Sequence, residues 1–97
     1  MRATCSGGKS TPYHVEITAS PDKRRRTAEI EATVYWDDGE RPRRATCTRE
    51  IDRRCEADRL FSEVLALLAR AGTCPTPTES DEVRELLARV CMVVEEA

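Results

Sequence analysis

Aromatic side chains are scarce in this chain: one Trp, one Phe and two Tyr among 97 residues, beside a single His. With so few rings, the core must be filled by Leu, Val, Ile, Ala and Cys. The lone His also narrows the catalytic options. Alternation along the chain puts His14 on the solvent side of one strand and Cys47 on the inner side of another, out of hydrogen-bond reach for a Cys–His dyad. No cysteine pair has C-x-x-C spacing, so the signatures of a zinc ribbon and of a thioredoxin-type redox pair are missing. The carboxylate pair Asp37–Asp38 falls in a turn, where the expectation is solvation and not a perturbed pKa. These absences lead to the expectation of a non-catalytic protein with no cofactor and no metal. No apolar run approaches a membrane span, and the N-terminus lacks the apolar stretch of a signal peptide, so the expected location is cytoplasmic.

What the chain has is charge, at 35% of its residues against 39% hydrophobic, with a formal net of −2. The layout is uneven. Residues 21–54 carry ten basic and eight acidic side chains, whereas residues 79–97 carry two basic and six acidic ones. A basic middle and an acidic end give surfaces of opposite sign, and the overall balance argues against a strong non-specific nucleic-acid binder. Five cysteines, Cys5, Cys47, Cys55, Cys74 and Cys91, are many for this length. Cys47, Cys55 and Cys91 stand where an apolar residue would serve, so they read as small buried hydrophobes. A Cys55–Cys91 disulfide is the alternative if two antiparallel helices bring them to one end.

The longest amphipathic stretch runs from Ile51 to Gly72. Its apolar residues Ala57, Leu60, Phe61, Val64, Leu67, Leu68 and Ala71 recur at helical spacing, with Asp52 as the expected cap and Gly72 as the exit. Ahead of it lie three strands. Tyr13 to Ala19 alternates with Tyr13, Val15 and Ile17 on one face, and Thr27 to Trp36 with Ala28, Ile30, Ala32 and Val34. After the Asp37-Asp38-Gly39-Glu40 turn, Arg43 to Arg49 forms the third, with Ala45 and Cys47 inward and Pro42 at its margin. Behind the first helix, Thr73 to Pro77 makes a stiff connector. A second helix over Glu79 to Glu96 follows, with Thr78 and Asp81 resembling a capping box.

The expected fold is therefore α+β: a three-stranded antiparallel β-meander packed on a C-terminal antiparallel helix pair, βββαα in two layers. Residues 1–12 read as a flexible lead-in and residues 13–97 as a single domain. Ala3 to Ser10 matches the loosest phosphate-loop pattern, but only two residues precede it and Pro12 follows at once. The strand before and the helix after that phosphate binding requires are thus absent.

Topology points to the arginines. In an up-down-up meander the loop holding Arg24, Arg25 and Arg26 shares one end with Arg49, Arg53 and Arg54. Guanidinium forks suit an acidic protein surface or a nucleic-acid backbone. Tyr35, on the outer sheet face among Glu29, Glu31, Thr33, Arg44 and Thr46, is a second expected anchor. Met92 and Val93 widen the apolar stripe of the second helix and give a possible homodimer surface.

With Pro12-Tyr13-His14-Val15 at its first strand, the three-strands-then-helix order resembles the later part of a double-stranded-RNA-binding domain. That family starts with a helix that this chain lacks, and Arg53-Arg54-Cys55-Glu56 stands where the family carries lysines. In size and layout the chain also looks like small phage-encoded anti-CRISPR proteins. That resemblance implies a protein partner, an inhibitor's role and no catalytic motif. The sequence expectation is a protein-binding module of that kind or an adaptor; nucleic-acid binding or regulation through the arginine-rich end is the alternative.

Overall fold

A computed structural model describes residues 1–8, 11–52, 54 and 56–96. The elements run β1 (Arg2–Gly7), β2 (Tyr13–Asp22), β3 (Thr27–Asp37), β4 (Pro42–Asp52), α1 (Ala57–Arg70) and α2 (Pro77–Glu96). The four strands form one antiparallel sheet in the order β1-β2-β3-β4. The α+β class and the helix pair therefore stand, but the sheet has four strands and the expected three-stranded meander is corrected.

The added strand comes from the stretch read as a lead-in. Its helix-facing residues Ala3 and Cys5 are small, and its other side is Arg2, Thr4 and Ser6, so its own hydrophobic signal is weak. The ladder to β2 is what orders it, with Cys5 opposite Val15 and Arg2 opposite Thr18. Met1 completes that ladder: its ammonium donates to Ala19 O at 2.8 Å, and Ala19 N–H donates back to Met1 O at 2.8 Å. Non-local pairing overrides local propensity here.

Both helices lie on one face of the sheet. α2 covers β1 and β2, while α1 covers β3 and β4. The period-two alternation of β2 and β3 delivers Val15, Ile17 and Val34 to that face, and the helical stripes deliver Leu68, Leu86 and Leu87. All six are buried. Among the described residues, the opposite face of the sheet carries no helix.

The first helix starts later than its periodicity suggested. Ile51 and Asp52 stay in β4 because the ladder continues through Ala28–Ile51 and Thr27–Asp52. Asp52 accepts a hydrogen bond from Arg54 N–H at 3.0 Å, so its carboxylate serves the turn, not a helix start. At the other end, Gly72 takes φ +75 as expected. Thr73 N–H donates to Leu68 O and Gly72 N–H to Ala69 O, closing a Schellman motif.

α2 begins at Pro77, with Thr76 and Glu79 in place of the expected Thr78–Asp81 pair. Glu79 N–H donates to Thr76 Oγ1 at 3.2 Å, and the Thr76 hydroxyl lies 3.2 Å from Glu79 Oε1. Proline suits the first helical position because its missing N–H has no intrahelical acceptor there. No helix among the described residues is long and apolar enough to cross a membrane.

Candidate functional site

The β2–β3 hairpin carries the arginine turn. Asp22 pairs with Thr27 across it, and Asp22 Oδ1 accepts from Arg24 N–H at 3.0 Å and Arg25 N–H at 3.3 Å. This Asx arrangement folds the chain back and leaves Arg24 and Arg25 exposed. Arg26 closes the turn at φ 55, the only positive φ outside glycine among the described residues.

Because Thr27 also pairs with Asp52, the turn lies beside the end of β4 and exposed Arg54. Arg53 lies outside the described residues, as does Cys55 and with it the proposed Cys55–Cys91 bridge. Arg49 reaches this end from the helix-facing side and shares a groove with Arg54. It sits opposite Ile30, on the helix-facing side of the sheet, and ion-pairs with Glu63 of α1. Its guanidinium therefore fastens the edge of the sheet to the helix.

Two shallow grooves flank Glu50 at this end. One, of about 200 Å³, is lined by Arg49, Arg54 and Arg59 together with Glu50, Asp52 and Glu56. The other, of about 480 Å³, is lined by Lys23, Arg24 and Arg25 together with Asp22, Glu29 and Glu50. Each groove thus sets three cations against three carboxylates. A surface of that kind favours a partner carrying both signs over a uniform polyanion.

The helix-free face of the sheet is organised in rows by the register. Ser6, His14, Tyr35 and Arg44 make one row, and Thr4, Glu16, Thr33 and Thr46 the next. Ser6 Oγ lies 2.8 Å from His14 Nδ1, and the His14 and Tyr35 rings are 6.2 Å apart and tilted. Thr33 Oγ1 and Thr46 Oγ1 are hydrogen-bonded at 3.0 Å, with Thr33 buried among its neighbours. Tyr35 remains 37% exposed in the middle of this face. His14 and Cys47 lie on opposite faces, since Cys47 pairs with helix-facing Ala32.

Pattern reading did not single out Glu79. Its Oε2 accepts from Tyr13 Oη at 2.8 Å and from Gly8 N–H at 2.9 Å, which joins the β1–β2 connection, the start of β2 and the cap of α2. The Tyr13 hydrogen bond, then Gly8 N–H, hold the Glu79 carboxyl below the usual range. Burial, then the hydrogen bond to Glu79 and its charge, push the Tyr13 phenol well above its usual value. The Thr76-x-x-Glu79 spacing was the signal that could have located this residue. Of the Ala3–Ser10 stretch already set aside as a phosphate loop, Ala3 to Gly7 is strand and the Gly8 N–H is committed to Glu79, while Lys9 and Ser10 lie outside the described residues.

Burial raises the pKa of the Cys5 and Cys47 thiols, which keeps both as thiols at neutral pH. Among the described residues, no group of three or more His, Cys, Asp or Glu could hold a metal ion. On the outer side of α2, Met92 and Val93 are exposed. Compared with known proteins, the chain matches no protein-family model, no curated protein and no solved structure.

Proposed function

We propose that this protein is a non-catalytic protein-binding module that recognises its partner through charged surface. Its concrete form is a small inhibitor of the phage type, directed at a host defence complex in the manner of anti-CRISPR proteins, or an adaptor. The observation that carries this reading is the helix-free sheet face, where half-exposed Tyr35 stands between His14 and Arg44 in a field of Thr and Glu. A rigid sheet presenting an aromatic anchor in a polar surround suits a protein interface. The mixed-charge grooves at the arginine turn extend that surface at one end.

Capture from a host lysate tests it with two variants, Tyr35→Ala and the triple Arg24→Glu, Arg25→Glu, Arg26→Glu. Loss of the captured protein with either variant supports the reading, and unchanged capture with both rejects it. Lys23, Arg24, Arg25 and Arg26, adjacent in one turn, favour a second reading as a nucleic-acid-binding or regulatory domain. A retardation series in salt decides that alternative: counterion release makes phosphate binding fall steeply as salt rises. Absence of binding at low salt removes it.

A further inference from the structure

The free edge of β4 is the largest unused bonding surface of the sheet. Among the described residues, β4 pairs with β3 along one side only, over 11 residues from Pro42 to Asp52. An antiparallel ladder uses the N–H and C=O groups of alternate residues, so the other half of this strand's backbone points away from the sheet. Edges this long are ordinarily shortened, bulged or covered, because they template pairing with another chain.

The side chains along this edge are charge-complementary to their own reverse. Reading outward from Cys47, Thr46 mirrors Thr48, Arg44 mirrors Glu50, and Pro42 mirrors Asp52. All six lie on the helix-free face. On the other face, Ala45 mirrors Arg49 and Arg43 mirrors Ile51. A two-fold axis through Cys47 therefore sets no like charges opposite one another and pairs the whole strand. Shifting the axis to Thr46 would set Arg43 against Arg49, and shifting it to Arg49 would set that residue against itself. An axis at Thr48 avoids like charges but leaves the start of β4 unpaired.

Within the chain, the exposed charges that this pairing would use have no ion-pair partners among the described residues. Glu50 sits directly opposite Glu29, a repulsive cross-strand pair, and neither has an ion-pair partner among the described residues. Lys23, Arg24 and Arg25 line the groove beside them without pairing to either. Arg44, opposite Tyr35, also has no ion pair among the described residues. Both Glu50 and Arg44 are exposed on the edge strand itself, within reach of a strand laid along it.

We propose that two copies of this chain associate antiparallel along β4, with Cys47 opposite Cys47 and each Arg44 opposite the second copy's Glu50. The result is one continuous eight-stranded sheet from two four-stranded halves. α1 lies over β3 and β4, so the pairing also brings the two α1 helices side by side in the same layer. The helix-free faces join into a single surface twice as wide, so binding of a protein partner there would be two-fold symmetric.

Sedimentation equilibrium of the full chain in reducing buffer tests the pairing, with far-UV circular dichroism confirming that each variant is folded. The wild type is expected at twice its 10.9 kDa chain mass. Arg44→Glu and Glu50→Arg should each weaken the dimer about tenfold or more, and combining them should restore it to within about threefold. Oxidation of wild-type dimer by diamide, which removes one hydrogen from each of two thiols, should link copies through Cys47. A monomer at about 0.5 mM overturns the proposal. So does a dimer that ignores both charge variants, one not restored by the double swap, or one dissociated by Met92→Glu instead. Cross-linking through Cys5 or Cys74 in place of Cys47 overturns the register.

Discussion

Replacing Arg26 with glycine should stabilise the protein although it removes a charged side chain from a turn. Arg26 holds φ 55, close to the centre of the left-handed region. For a residue with a Cβ, that conformation costs roughly 1–2 kcal/mol, because the Cβ crowds the following carbonyl. Glycine removes the strain but gives the unfolded chain more freedom, which takes back about 0.5–1 kcal/mol. The net expectation for Arg26→Gly is a gain of about 0.5–1 kcal/mol, or about 3–6 °C in Tm for a domain of this size. Arg24→Gly is the matched control. It removes the same charge from the same turn, but Arg24 is not among the residues with positive φ. Its N–H bond to Asp22 Oδ1 survives the change, so only the entropy loss of about 0.5–1 kcal/mol remains, with the opposite sign. Urea unfolding followed by circular dichroism reads both variants by linear extrapolation. Shifts in the same direction would show that charge removal, and not backbone strain at Arg26, dominates.

Three further outcomes follow from the same structure. Thr76→Ala should cost about 1 kcal/mol in urea unfolding, while Thr78→Ala leaves the midpoint nearly unchanged; equal effects would move the cap of α2. Gly7→Ala should destabilise by about 1–3 kcal/mol, because the new Cβ lands on the Tyr13 hydroxyl and the Glu79 carboxylate; a neutral effect in thermal unfolding would show that the knot gives way freely. The Arg43 hydrogen bond, then the Arg41 and Glu40 N–H groups, pull the Asp38 carboxyl from its usual 3.8 down to about 2. A pKa depressed in the folded state adds stability that is complete above about pH 4 and lost as pH falls towards 2. NMR titration should find the Asp38 midpoint near 2, Asp38→Asn should flatten that part of the pH–stability curve, and a midpoint near 4 would contradict the hydrogen-bonded geometry.

Much of the fold was legible because the physics behind it is local. Tyr13-Val15-Ile17 and Ala28-Ile30-Ala32-Val34 alternate strictly, the Asp38-Gly39 turn carries its own φ requirement, and Gly72 ends α1 as glycine does. What escaped depended on partners distant in sequence. β1 hides because Ala3 and Cys5 carry little hydrophobic signal without β2 beside them. Ile51 and Asp52 looked helical in isolation, yet the ladder to Thr27 and Ala28 holds them in β4. The candidate site was legible to the same degree. Position in the turn exposes Arg24, Arg25 and Arg26 whatever the tertiary structure. Alternation from Ala45 through Cys47 already sends Arg49 to the helix side, and only the tertiary placement of Glu63 makes that side suitable for a guanidinium. Tyr35 followed its strand's alternation to the outer face.

The proposal that the helix-free sheet face is the binding surface is tested most directly by NMR shift mapping of the labelled protein with its captured partner. The largest changes should fall at Tyr35, Arg44 and Thr46, extend to the Arg24–Arg26 turn, and leave the outer side of α2 around Met92 unmoved. Changes centred on Met92 and Val93, with Tyr35 and Arg44 unperturbed, would contradict it.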